Sequence, residues 1–133
     1  MAKNIHSMIR VLDLECSLGF YADVLCLHEA HRLDFPEFAL VHLRNAENDC
    51  EIELTHNKGQ SEPCTHGSGY GHVGVVVEDA LAARAVLIAR GYDPAPAPMK
   101  EFQRGDGLLA RYCFIQDPDG YKIEMLERHG HYQ

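Results

Sequence analysis

One stretch of this chain nearly occurs twice. The run His6-Ser-Met-Ile-Arg-Val-Leu-Asp13 recurs as His72-Val-Gly-Val-Val-Val-Glu-Asp79, and Ile52-Glu-Leu54 recurs as Ile123-Glu-Met125. An internal repeat of this kind ties both halves of a 133-residue chain to one supersecondary unit. Each copy opens on an apolar strand-like run, passes an acidic helix cap and closes on further strand-like sequence. The unit reads β-α-β-β-β. Two tandem βαβββ modules give an α+β fold class.

Local patterns set the element boundaries. Ile5, Ile9 and Val11 share one strand face, while His6, Met8 and Arg10 take the other. Asp13 is a helix N-cap with Glu15 in the first turn, and Leu14, Leu18, Tyr21 and Leu25 follow at helical spacing. Residues 28–43 read as two strands around Pro36, 45–49 as a loop, and 50–57 as a fourth strand. The first module thus spans 1–57 and the breaker-rich run 58–69 is a linker. The second module, 70–133, opens with a strand over 70–77. Asp79 caps an Ala-rich helix that ends near Gly91. Pro94, Pro96 and Pro98 confine the next strand to an edge or a loop, and 100–107 reads as a polar loop. A strand over 108–116, the Asp117-Pro-Asp-Gly120 turn and a strand over 121–128 complete the module.

Bulk properties narrow the partners. A net charge of −8 without a Lys/Arg cluster argues against nucleic acid. No run approaches the ~20 apolar residues of a membrane span. The N-terminus enters strand-like sequence without a signal-peptide pattern. Cys16, Cys26, Cys50, Cys64 and Cys113 form an odd set with no CxxC pair. Free thiols in a reducing cytoplasm are the expectation, and the chain reads as cytoplasmic.

The repeat also selects the chemistry. Each half offers a His on its first apolar run (His6, His72) and a Glu on its last (Glu53, Glu124). Glu51, Thr55 and Asn57 share the face of Glu53, while Ile52, Leu54 and His56 face away. A carboxylate between apolar neighbours is costly to bury unless it is paired or bound to metal. Two imidazoles and two carboxylates without thiolate suit an octahedral divalent ion with positions open to substrate. Such an ion polarises a carbonyl while a neighbouring carboxylate moves a proton on the adjacent carbon.

On these residues the chain resembles the glyoxalase I family of the vicinal oxygen chelate superfamily. The matching stretches are His6-Ser-Met-Ile-Arg-Val, Gly19-Phe-Tyr-Ala-Asp-Val-Leu25, Ile52-Glu-Leu-Thr-His-Asn57, Tyr70-Gly-His-Val-Gly-Val and Phe114-Ile-Gln-Asp-Pro-Asp-Gly-Tyr-Lys-Ile-Glu-Met125. The resemblance implies a homodimer of paired βαβββ modules with metal sites between subunits. It implies metal ligation by His6, Glu53, His72 and Glu124, with one divalent ion per site. His at the first position is similar to the class activated by Ni²⁺ or Co²⁺, with Zn²⁺ less favoured. The implied reaction isomerises the methylglyoxal–glutathione hemithioacetal to S-lactoylglutathione through an enediolate. Glu124 is then the proton shuttle, Glu53 a ligand and second base, and Arg10 and Asn57 hold the γ-glutamyl end of glutathione.

Two positions depart from the pattern. The glycine that usually ends the first helix is Cys26, so a different closure is expected there. The lysine that usually meets the glycine carboxylate of glutathione falls in register on Asp106, with Lys100 and Arg104 as nearby cations. Two alternatives follow from the superfamily: an epimerase-like metal enzyme, and a metal-free antibiotic-sequestering dimer.

Overall fold

The computed structural model describes residues 1–47, 49–92 and 98–133. By chain contacts it divides into two units, Met1–Thr65 and His66–Gln133. Each repeats the same order: strand, helix, three strands.

In the first unit β1 (His6–Arg10), α1 (Leu14–Leu25), β2 (His28–Asp34), β3 (Phe38–Arg44) and β4 (Glu51–Asn57) build a four-stranded sheet in the order β1-β4-β3-β2. β1 runs parallel to β4, whereas β3 is antiparallel to both β4 and β2. The crossover needed to make β1 and β4 parallel neighbours places β4 in the interior of the sheet. One face is apolar, with Ile9, Ala39, Val41, Leu43, Ile52 and Leu54 buried along alternate positions. α1 adds Leu14, Phe20 and Tyr21 to the buried set, together with Ser17. Leu18 and Leu25, expected on that stripe, are only half-buried. The buried side of the helix is rotated toward Phe20, whose ring meets Tyr21 edge to face at 5.3 Å.

Asp13 caps α1 as expected, its carboxylate accepting the N–H of Cys16 at 3.0 Å. The other end corrects the sequence reading. Cys26 adopts φ 53° and ψ 31°, the left-handed geometry that glycine normally supplies, so the helix closes in the usual way without it. The backbone N–H groups of Cys26 and Leu27 both turn back to the carbonyl of Tyr21. Satisfying that carbonyl fixes the backbone whatever the side chain.

The second unit repeats the plan with β5 (Val73–Val77), α2 (Ala80–Ala89), β6 (Lys100–Arg104), β7 (Gly107–Gln116) and β8 (Lys122–Glu127), ordered β5-β8-β7-β6. Asp79 caps α2 through the N–H of Ala82, and Gly91 takes φ 81° just past its end. β5 is shorter than expected. Its pairing starts at Val73 opposite Ile123, so residues 70–72 precede the strand. Tyr70 instead donates its hydroxyl to the carbonyl of Lys122 at 3.0 Å.

Residues 100–104, expected as loop, form edge strand β6 against β7. All five are exposed, so no apolar alternation announces the strand. The connection is a two-residue Gly105-Asp106 turn with Gly105 at φ 65°, the positive-φ chemistry that hairpins require. Pro94, Pro96 and Asn48 lie outside the described residues. Among the described residues, no helix is long and apolar enough to cross a membrane, and all five cysteines are free thiols.

Candidate metal centre

Glu53 lies at the middle of β4, flanked in register by Met8 on β1 and His42 on β3. Alternation sends Ile52 and Leu54 to the apolar side and turns Glu53 to the opposite face. Thr55 Oγ1 donates to Glu53 Oε1 at 3.2 Å, which orients the carboxylate. The free oxygen, Oε2, lies 3.5 Å from His6 Nε2 and 3.4 Å from His42 Nε2. Its side chain is only 12% exposed.

These spacings suit a cation. Two donors each about 2.1 Å from one ion stand about 3.0 Å apart at a right angle and about 3.4 Å apart at a tetrahedral angle. Candidate donor atoms of His6, His42 and Glu53 all fall within 4.8 Å of one another. The ring of His42 is held between two carboxylates. On its far edge, Nδ1 stands 3.1 Å from Glu51 Oε2, close enough for an ion pair but not aligned as a hydrogen bond. Glu51 Oε1 in turn faces Arg44 Nε at 3.8 Å. Nε2, on the opposite edge, is the His42 nitrogen turned toward Glu53 Oε2, where an ion would sit.

The second unit carries the same motif with one change. Glu124 sits in the middle of β8, flanked by Gly74 on β5 and Phe114 on β7. His72, just ahead of β5, brings Nε2 to 3.1 Å from Glu124 Oε2. The ring beside it is Phe114, at 5.4 Å between centroids and 71° between planes. His6 meets His42 at 5.4 Å and 74°. Phe114 therefore occupies the place of His42, and among the described residues the second unit offers two donors at this place where the first offers three.

The chain matches the model of the Glyoxalase/Bleomycin resistance protein/Dioxygenase superfamily over residues 4–125. It is 38% identical over 130 residues to the probable lactoylglutathione lyase of Synechocystis sp., covering 92% of this chain and 93% of the relative. It is 36% identical over 129 residues to the lactoylglutathione lyase of Haemophilus influenzae, covering 92% and 90%. The chain belongs to the glyoxalase superfamily, among the lactoylglutathione lyases. Among solved structures, the trypanothione-dependent glyoxalase I of Leishmania major superposes with a TM-score of 0.75 at 30% identity, covering 96% of this chain and 87% of that one.

The family implies a divalent metal, for which His6, His42 and Glu53 are candidate donors. Of the residues picked out by the repeat, the structure joins His6 to Glu53 and His72 to Glu124 within each unit. Arg10 is exposed at the end of β1, between the buried Ile9 and Val11. Asn57 ends β4 and donates to Gln60 Oε1 at 3.4 Å. Asp106 stands exposed in the β6–β7 turn. His42 was not foreseen. Its signal was the alternation across 38–44, where Ala39, Val41 and Leu43 turn inward and His42 outward, combined with the register that sets it opposite Glu53.

Proposed function

We propose that this chain is a metal-dependent glyoxalase I, isomerising the hemithioacetal of methylglyoxal and glutathione to S-lactoylglutathione. The observation that carries the reading is the His–Glu pair at matching places in each half, with the glutamate on the interior strand and the imidazole nitrogen 3.5 or 3.1 Å away. Relatives named lactoylglutathione lyase at 36–38% identity over nearly the whole chain support the same reaction.

In this reading His6, Glu53, His72 and Glu124 hold one divalent ion, with Ni²⁺ or Co²⁺ preferred to Zn²⁺. A divalent ion held there would supply Lewis-acid chemistry to the substrate oxygens. Glu124 takes the proton from C1 of the hemithioacetal and returns it to C2, and Glu53 is the second base. Thr55 keeps Glu53 oriented through the 3.2 Å hydrogen bond. Arg10 supplies a cation for the γ-glutamyl carboxylate and Asn57 an amide beside it. We take the working form to be a cytoplasmic homodimer.

Asp106 favours a second thiol. An acid where a cation would meet the glycine carboxylate repels that end of glutathione. The Leishmania major relative is described as trypanothione-dependent. Trypanothione is therefore the comparison thiol.

The test is lactoyl-thioester formation by chelator-stripped protein after addition of Ni²⁺, Co²⁺ or Zn²⁺, with hemithioacetals of both thiols. Turnover with at least one metal and one thiol is expected. No product with any combination removes the reading.

A further inference from the structure

His42 belongs to no part of the four-donor reading, yet it is the best-placed imidazole in the first sheet. It projects from β3 directly opposite Glu53 on β4, and its side chain is 13% exposed. Nε2 approaches the same Glu53 oxygen that faces His6, at 3.4 Å against 3.5 Å. Glu51 Oε2 stands 3.1 Å from Nδ1. A carboxylate that accepts the other ring N–H is the usual outer support of a metal-ligating histidine, fixing its tautomer and raising its basicity. Glu51 stands within ion-pair reach of that role, though its contact is not aligned as a hydrogen bond.

The repeat supplies an internal comparison. Phe114 fills the equivalent place with nearly the same ring geometry, so packing there needs only an aromatic ring. A histidine meets that packing need and adds a donor. The carboxylate behind it also differs: Glu51 in the first unit corresponds to Lys122 in the second, two residues ahead of Glu53 and Glu124 respectively. Donor and support appear together in one half and are absent together from the other.

We propose that His42 is a metal ligand through Nε2, giving the first half its own set of two imidazoles and one carboxylate, with Glu51 as the residue that positions its ring. The proposal rests on the metal-enzyme reading for His6 and Glu53 and adds a donor to it. His6, Glu53 and His42 come from adjacent strands of one sheet, so the first half brings three donors to the ion instead of two. An additional nitrogen donor moves preference toward Ni²⁺, Co²⁺ and Zn²⁺ and away from Mn²⁺ and Mg²⁺.

The experiment uses the full chain stripped of metal and titrated with Co²⁺ against a coloured chelator. His42→Phe copies the second half, His42→Gln keeps a polar group, Glu51→Gln weakens the support, and His72→Ala breaks the other pair. Folding of each apo form is checked by thermal melting. Expected results are at least a tenfold loss of Co²⁺ affinity in both His42 variants, about a 10–100-fold loss in Glu51→Gln, and a changed visible Co²⁺ spectrum in His42→Phe. Wild-type affinity and an unchanged spectrum in both His42 variants would overturn the proposal. If in addition His72→Ala loses affinity, the four-donor site stands alone. If the His42 variants lose affinity and His72→Ala does not, His42 is a ligand and the four-donor reading falls. If no form binds Co²⁺, both fall.

Discussion

His72 Nε2 lies 3.1 Å from Glu124 Oε2, with Glu124 in the middle of the interior strand of its sheet and only 13% exposed. An imidazole and a carboxylate so placed share a cation or a proton, and the two uses separate by mutation. Glu124→Gln keeps an oxygen donor but removes the base. Activity is expected to fall about 10²–10⁴-fold, with metal content nearly retained. His72→Ala is expected to lose both. Steady-state kinetics beside elemental analysis checks this, and small, equal losses would reassign the proton transfer to Glu53.

Cys26 is the one non-glycine residue with positive φ among the described residues. A side chain in the left-handed region costs about 1 kcal/mol relative to glycine. Cys26→Gly removes that strain while preserving the bonds to the Tyr21 carbonyl. A gain of about 1 kcal/mol is expected, seen as a rise in Tm of about 3–6 °C. Cys26→Val, with a β-branched side chain in the same geometry, is expected to lower Tm. A neutral Cys26→Gly would mean that the flexibility glycine adds to the unfolded chain offsets the relief.

The repeat made the architecture legible because equivalent strands carry equivalent patterns: Ile9, Ile52 and Leu54 alternate with polar residues and are buried. Asp13 and Asp79 announced both helices because a capping carboxylate is a local, sequence-near interaction. Two of the misses share a cause. Strand β6 and the donor His42 are defined by their partner strands, and register cannot be read from a single strand. For β6 the Gly105-Asp106 pair was a usable hairpin signal, outweighed by the polarity of its neighbours. Cys26 erred the other way, since hydrogen bonding imposed a backbone that its residue type disfavours.

Asp117 anchors the turn before β8. It is buried, and Oδ1 accepts the N–H groups of Asp119 at 3.0 Å and Tyr121 at 2.8 Å. Asp117→Ala strips both donors of their acceptor, and the Tyr121 N–H cannot reach water. A destabilisation of about 1–3 kcal/mol is expected, with Asp117→Asn milder because it retains an amide oxygen. The two midpoints in urea decide it. Equal effects would assign the role to charge and not to the hydrogen bonds.

Cys113 sits fully buried on β7, and desolvation pushes its thiol above the ordinary range; Glu127 adds to the rise and Arg84 opposes it. Two outcomes follow. In the native protein a thiol reagent should reach the exposed cysteines first and Cys113 only after unfolding. The second concerns pH. Because the folded thiol holds its proton to higher pH than the unfolded one, its contribution is complete below about pH 8.5, the unfolded value. As pH rises from there through the folded value, the unfolded chain binds fewer protons than the native one, and stability falls. Cys113→Ala removes this contribution along with its packing. The stability difference between wild type and Cys113→Ala, measured by urea unfolding with reductant, should therefore shrink from pH 8 upward by about 1.4 kcal/mol for each unit of separation between the two values. A difference that stays flat to about pH 10 would show that burial does not hold the proton on this thiol.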